Sequence, residues 1–182
     1  MNSIQIFIAW FLPLAVLASN IVCIIVFLLY VLEKKARNWI NDFVREHVLS
    51  IIAALSISAM FGSLLYSNVI GFVPCDLCWL QRICMYPQVL LSLLALRKKD
   101  MKMVFYLFPL SCIGLVIALY HSLVQWGVGG GLLGCTTVGG ECVRVYVMKY
   151  GYITIPFMAL SAFVYLFAVS VFYYRSRNAR QD

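Results

Sequence analysis

The chain has 182 residues, 64% of them apolar, and a formal net charge of +7. Water-soluble domains are nearer half apolar, so this composition points to a bilayer rather than to water. The basic excess is not a nucleic-acid signature, because no basic patch is interleaved with aromatics on a polar surface.

Taken in chain order, residues 1–32 carry no charged side chain. A membrane helix needs about 20 mostly apolar residues, and the first span is placed at 5–32. A cleaved signal has a basic leader and a short apolar core. Met1 to Gln5 is uncharged and Lys34 and Lys35 follow the apolar run, so the segment reads as a retained anchor. Residues 33–47, EKKARNWINDFVREH, suit a short amphipathic surface helix with Trp39, Phe43 and Val44 dipping into lipid, and equally a solvated connector. The second span is placed at 48–70, within the uncharged tract 48–74.

The third span, 79–96, has one charge near its start, Arg82. A tight turn RKKDMK follows at 97–102, and the fourth span is placed at 103–124. Residues 125–151 form the longest non-membrane stretch. It is rich in glycine between Gly127 and Gly140 and carries Cys135 and Cys142. The fifth span, 152–174, leads into a basic tail at 175–182. Pro13, Pro87, Pro109 and Pro156 fall inside spans and are read as kinks whose freed carbonyls are satisfied by neighbouring helices. Backbone groups in lipid must bond internally, and the alternation of a barrel is missing, so the fold class is all-α integral membrane.

Basic residues set the orientation. Segments 33–47, 97–102 and 175–182 hold eleven of the fourteen Lys and Arg residues, which places them in the cytoplasm. The N-terminus and segments 71–78 and 125–151 then face outward. The expected location is a multi-pass protein of the cytoplasmic (inner) membrane, with its loop cysteines on the extracytoplasmic side.

Seven cysteines divide along the same line. Cys23, Cys84 and Cys112 lie within spans and are read as small buried hydrophobes. Cys75 and Cys78, spaced C-x-x-C, and Cys135 and Cys142, spaced C-x6-C, face the side where disulfides persist. Two disulfides are implied, with the pairing left open by sequence alone.

The first pair opens a helix in the run PCDLCWLQR. Free N–H groups, the positive dipole end and the C-x-x-C spacing all favour a thiolate there. Arg82, at i+4 from Cys78, lies on the same helix face and would stabilise a Cys78 thiolate. A charge at that depth is costly and is a functional candidate, the bland alternative being that it snorkels to headgroups. Beside lipid, the two-electron acceptor at hand is a quinone. Arg82 would steady charge developing on its oxygen, and Gln81 would add a hydrogen bond. The glycine-rich loop would present Cys135 and Cys142 first to a soluble dithiol protein and then to Cys75 and Cys78, by thiol–disulfide exchange.

At PCDLCWLQRICMYP the chain resembles the DsbB family, in particular the branch called disulfide formation protein C, or BdbC-like. The shared pattern C-x-L-C-W-x-Q-R-x-x-M-Y-P falls on Cys75, Leu77, Cys78, Trp79, Gln81, Arg82, Met85, Tyr86 and Pro87. GYITIPFMALSAF, Gly151 to Phe163, is a second region of likeness, and the resemblance covers about 48–174. It implies a four-helix membrane bundle at 48–174, to which this chain adds an N-terminal helix and connector (1–47) and a basic tail (175–182).

It also implies a membrane dithiol:quinone oxidoreductase using ubiquinone or menaquinone. The partner implied is a DsbA-like thioredoxin-fold thiol oxidase. Cys78 would be the thiolate in charge-transfer contact with the ring, assisted by Arg82. Cys135 would form the mixed disulfide with the partner, and Cys142 would exchange with Cys75. His121 would lie near the quinone, although it also suits an interfacial histidine satisfied by water or headgroups. Two features depart from the family. The first span with its connector lies outside the four-helix pattern, and the C-x6-C loop is shorter than in the proteobacterial branch.

Three rivals remain, one of them a purely structural membrane protein with stabilising disulfides, with which Arg82 below the C-x-x-C and a second pair on a glycine-rich loop sit poorly. A vitamin K epoxide reductase-like enzyme also couples two cysteine pairs to a quinone, but there the loop pair precedes the C-x-x-C. A non-enzymatic membrane protein holding a soft metal through the four outward cysteines would ordinarily space both pairs tightly.

Overall fold

The computed structural model describes residues 2–128 and 142–178. It has five helices long and apolar enough to cross a membrane: α1 (Ser3–Leu32), α2 (Lys34–Leu64), α3 (Asp76–Lys98), α4 (Met103–Gln125) and α5 (Ile155–Asn178). The fold is all-helical and integral to the membrane.

Glu33 alone separates α1 from α2, in extended conformation. The segment 33–47 is not a separate surface helix. It forms the first turns of α2, which crosses residue 47 without a break. Ile40 and Val44 are buried in the same core as Val48 and Ile52, so Val44 packs against protein and not against lipid. Trp39 and Phe43 stay exposed and stack on each other at 5.4 Å. At the other end α2 widens into a π-helical turn, Leu65–Ile70, closed by Gly71 at φ 90°. Such turns concentrate at functional sites, and this one delivers Tyr66 to the cavity described below.

The α3–α4 connection is a tight reversal. Lys99 takes the left-handed conformation, Asp100 N–H donates back to the Ala95 carbonyl at 3.0 Å, and the Asp100 carboxylate accepts from Lys102 N–H at 3.0 Å. Pro13, Pro87 and Pro109 lie inside helices as expected. Pro156 does not kink a span. It is the second residue of α5, where a missing N–H costs no helical bond.

The core is the bundle of α2, α3, α4 and α5, filled by residues such as Leu107, Phe163 and Leu166. Lipid offers little hydrophobic drive, so close packing and interhelical hydrogen bonds matter more. Both are present. Phe163 lies so close to Gly114 that a Cβ there would sit 2.1 Å from its ring. Ser111 Oγ donates to Gln88 Oε1 at 3.1 Å, tying α4 to α3 through a fully buried amide. Helix α1 stands outside this bundle, resting on α2 and α5. Only its Ile8 and Pro13 are buried.

Candidate functional site

Pro74 ends the extended approach to α3, and Cys75 caps the helix. Its Sγ accepts from the Cys78 backbone N–H at 3.4 Å. Sulfur thus fills the capping role usually taken by a side-chain oxygen. Both thiols are free, and their sulfurs lie 2.9 Å apart. One helical turn later, Gln81 and Arg82 are both buried, facing the bundle interior as a charge in a membrane segment almost always does.

Helix α4 contributes His121. Its Nε2 lies 3.6 Å from Cys75 Sγ, and its Nδ1 lies 3.3 Å from Gln81 Nε2. With the Gln81 amide donating to Nδ1, the ring proton sits on Nε2 and points at the sulfur. His121 is 3% exposed, so it is not an interfacial residue satisfied by water. Two donors therefore converge on Cys75 Sγ, the Cys78 backbone N–H and the imidazole, with the Cys78 sulfur also in hydrogen-bond reach. Cys75 lies just outside the span. The Cys78 hydrogen bond foremost, followed by His121, holds its thiol well below the ordinary value despite burial. These contacts favour a thiolate at Cys75, whereas the sequence reading places the thiolate at Cys78.

Arg82 donates from Nε to Ser63 Oγ at 3.0 Å and from a terminal nitrogen to the Ser63 carbonyl at 3.2 Å. The guanidinium also lies over Trp79, 5.2 Å from the ring centroid. Its charge is directed inward by α2 and does not snorkel. Cys78, Gln81 and Arg82 line one wall of a cavity of about 330 Å³ whose other walls are mainly apolar. That volume lies at the lower end of ordinary ligand sites. One end is bounded by an aromatic stack in which Phe72 contacts Tyr66 at 6.0 Å and Tyr146 at 4.6 Å.

Cys142 is buried and disulfide-bonded, and it shares an apolar cluster with Cys75, Leu77 and Val124. Cys135 lies outside the described residues. Cys75, Cys78, Gln81, Arg82 and His121 are brought together, while Cys23, Cys84 and Cys112 lie within α1, α3 and α4, Cys84 buried as expected and the other two only half-buried. Sequence reasoning missed Ser63, which is separated from Arg82 by 19 positions and has no motif to mark it.

The family model described as Disulfide bond formation protein DsbB matches residues 45–173. The chain belongs to the DsbB family. Three relatives agree with this. A probable disulfide formation protein of Oceanobacillus iheyensis is 39% identical over 140 residues, 74% of this chain and 94% of the relative. Probable disulfide formation protein C 2 of Bacillus anthracis is 35% identical over 138 residues, 76% of this chain and 96% of the relative. Disulfide bond formation protein C of Bacillus subtilis is 41% identical over 111 residues, 60% and 80% of the two chains. No solved structure gives a significant match. As a DsbB-family member, the chain is a multi-pass membrane protein and a disulfide-forming oxidoreductase, which sets aside the vitamin K epoxide reductase reading.

Proposed function

We propose that this DsbB-family protein reoxidises an extracytoplasmic, DsbA-like thioredoxin-fold thiol oxidase and passes the electrons through two cysteine pairs to a membrane quinone. The observation that carries the reading is the cavity on which Cys78, Gln81 and Arg82 converge. Its apolar walls suit a ring and the start of a tail, and its polar wall suits a quinone oxygen. When bound there, a quinone supplies a two-electron, two-proton acceptor, becoming quinol as Cys75 and Cys78 become a disulfide.

The protein's own residues divide the remaining work. Cys78 faces the cavity, whereas Cys75 faces His121 and the cluster containing Cys142. This supports an order in which the partner's thiols reduce the Cys135–Cys142 pair, Cys142 exchanges with Cys75, and Cys78 stands next to the acceptor. His121, oriented by Gln81, holds a proton at Nε2 beside Cys75, where thiolate attack and departure both need it. Arg82, fixed by Ser63, presents positive charge where an oxygen would gain electrons. Ubiquinone and menaquinone both fit this chemistry. The basic segments 33–47, 97–102 and 175–182 support placing the cysteine loops outside, with residues 48–174 as the catalytic unit.

A second reading has one observation in its favour. Ligand atoms of Cys75, Cys78 and His121 lie within 4.8 Å of one another, a donor set that suits a soft cation. Against it, Cys142 is disulfide-bonded and offers no thiolate.

The test is steady-state turnover with purified protein, a short-chain quinone and a reduced thioredoxin-fold oxidase. Quinone reduction should match partner oxidation mole for mole and should vanish in Cys78→Ser. Stoichiometric bound zinc with no quinone reduction would favour the second reading.

A further inference from the structure

Helix α1 lies wholly outside residues 45–173, the part of the chain that the family model matches. It nonetheless reaches the site. Leu12, Ala15, Val16 and Ser19 line the same cavity as Cys78 and Arg82. Their spacing of i, i+3, i+4 and i+7 is one face of a helix. The opposite face, with Leu14, Ile21 and Ile25, is exposed as a lipid-facing surface should be.

The helix is pinned along its length and stands off in between. Gln5 donates to the Val69 carbonyl at 3.0 Å, and Lys149 Nζ sits 3.6 Å from the Trp10 ring centroid. Ser19 lies 3.2 Å from the Tyr165 hydroxyl, which also donates to Asn20. Between these ties the facing surface of α2 is built of small residues: Ser58, Ala59, Gly62 and Ser63. Small residues in membrane helices usually let two backbones close on each other. Here α1 does not close the gap. A Cβ added at Gly62 would meet Leu12 only at 4.0 Å, an ordinary contact. The space left between the two helices belongs to the cavity.

We propose that α1 is the lipid-side wall of the acceptor site, and that Leu12, Ala15 and Val16 contact the bound quinone and select which quinone the protein takes. In a bundle of α2 to α5 alone this side would open to lipid. With α1 in place the acceptor must fit a bounded slot, with Arg82 on one side and the Leu12–Val16 face on another. The inference rests on the quinone reading above.

The test uses full-length protein in lipid nanodiscs and a photoreactive, decyl-tailed azidobenzoquinone, with labelled peptides mapped by mass spectrometry. Label should appear on the α1 segment carrying Leu12–Ser19 as well as on α3, and unlabelled decyl quinone should remove both. Val16→Trp should weaken binding of the probe by about tenfold or more, whereas Ile24→Trp, on the same helix but away from the cavity lining, should leave it within about twofold. Ala15→Leu, a smaller addition, covers the case in which the indole unfolds the protein. Competable label on α3 alone, with Ala15→Leu or Val16→Trp binding as tightly as the parent, overturns the wall while leaving the quinone reading intact. A parent protein with no competable label anywhere overturns both.

Discussion

His121 and Cys75, 46 positions apart, meet with 3.6 Å between Nε2 and Sγ, and the far ring nitrogen is held by Gln81. The contact joins α4 to the mouth of α3 and places a proton donor on the sulfur that shares a buried cluster with Cys142.

The first prediction concerns that thiol. Its value is lowered, so the folded, reduced protein keeps Cys75 as thiolate at pH values where an unfolded chain would protonate it. The stabilisation this gives is present above the ordinary thiol value and is lost as pH falls through the lowered one. Iodoacetamide alkylation of Cys75, followed peptide by peptide against pH, should show a midpoint clearly below the ordinary cysteine value of about 8.5. His121→Ala should move that midpoint upward, and Gln81→Leu should do so to a smaller extent. A midpoint at or above the ordinary value, unmoved by His121→Ala, would show that the imidazole does not act on the sulfur.

Arg82 carries the second prediction. Arg82→Ala should lower kcat/KM for quinone by about 10²–10³, the scale of losing one preorganised donor to a developing oxyanion. Arg82→Lys should recover only part of this, because a lysine cannot reproduce the two-pronged grip on Ser63. Ser63→Ala should have a smaller effect, about tenfold or less, since the Ser63 carbonyl still holds the guanidinium. Arg82→Ala turning over like the parent would leave the buried cation without a catalytic role.

A third prediction separates the two cysteine pairs. Cys142→Ser and Cys135→Ser should abolish oxidation of the partner but leave the Cys75–Cys78 dithiol oxidisable by quinone in a single turnover. Cys75→Ser and Cys78→Ser should abolish both reactions. Cys84→Ala, in the core cluster, should stay within about twofold of the parent in both. Retention of partner oxidation in Cys142→Ser would break the proposed order.

The fourth prediction is structural. Gly114→Ala drives a methyl group into the Phe163 ring, which is itself fully buried. Overpacking of this kind costs about 1–3 kcal/mol, read as a lower Tm of the detergent-solubilised protein. Phe163→Leu in the same chain should restore part of the loss, because the two positions share one space. An unchanged Tm in Gly114→Ala would mean that α4 and α5 approach less closely.

Much of this architecture is legible in the sequence, because charge-free tracts in a membrane protein have few alternatives. The fourth span, expected at 103–124, is the helix Met103–Gln125. The third, expected from Trp79, begins at Asp76, since an apolar tract does not reveal that the Cys75 sulfur caps the turn before it. The segment 33–47 continues α2 because Ile40 and Val44 have a core to enter, which depends on the packing of α2 against α3 and α5 that no local pattern encodes. Within the site, the C-x-x-C and the arginine one turn below it stand out by spacing. The partners that give them their chemistry, Ser63 and His121, arrive from other helices. The reach of α1 into the cavity is equally invisible, because lipid-facing and cavity-facing residues are apolar alike.

The most direct test of the account is an anaerobic titration without any partner protein. Reduced protein is mixed with a short-chain quinone, quinol is followed by absorbance, and the cysteines are then mapped by mass spectrometry. The account predicts quinol formation as the Cys75–Cys78 disulfide appears, one for one, with neither formed in Cys78→Ser. Quinol formed while Cys75 and Cys78 stay reduced, or no quinol at all, would contradict it.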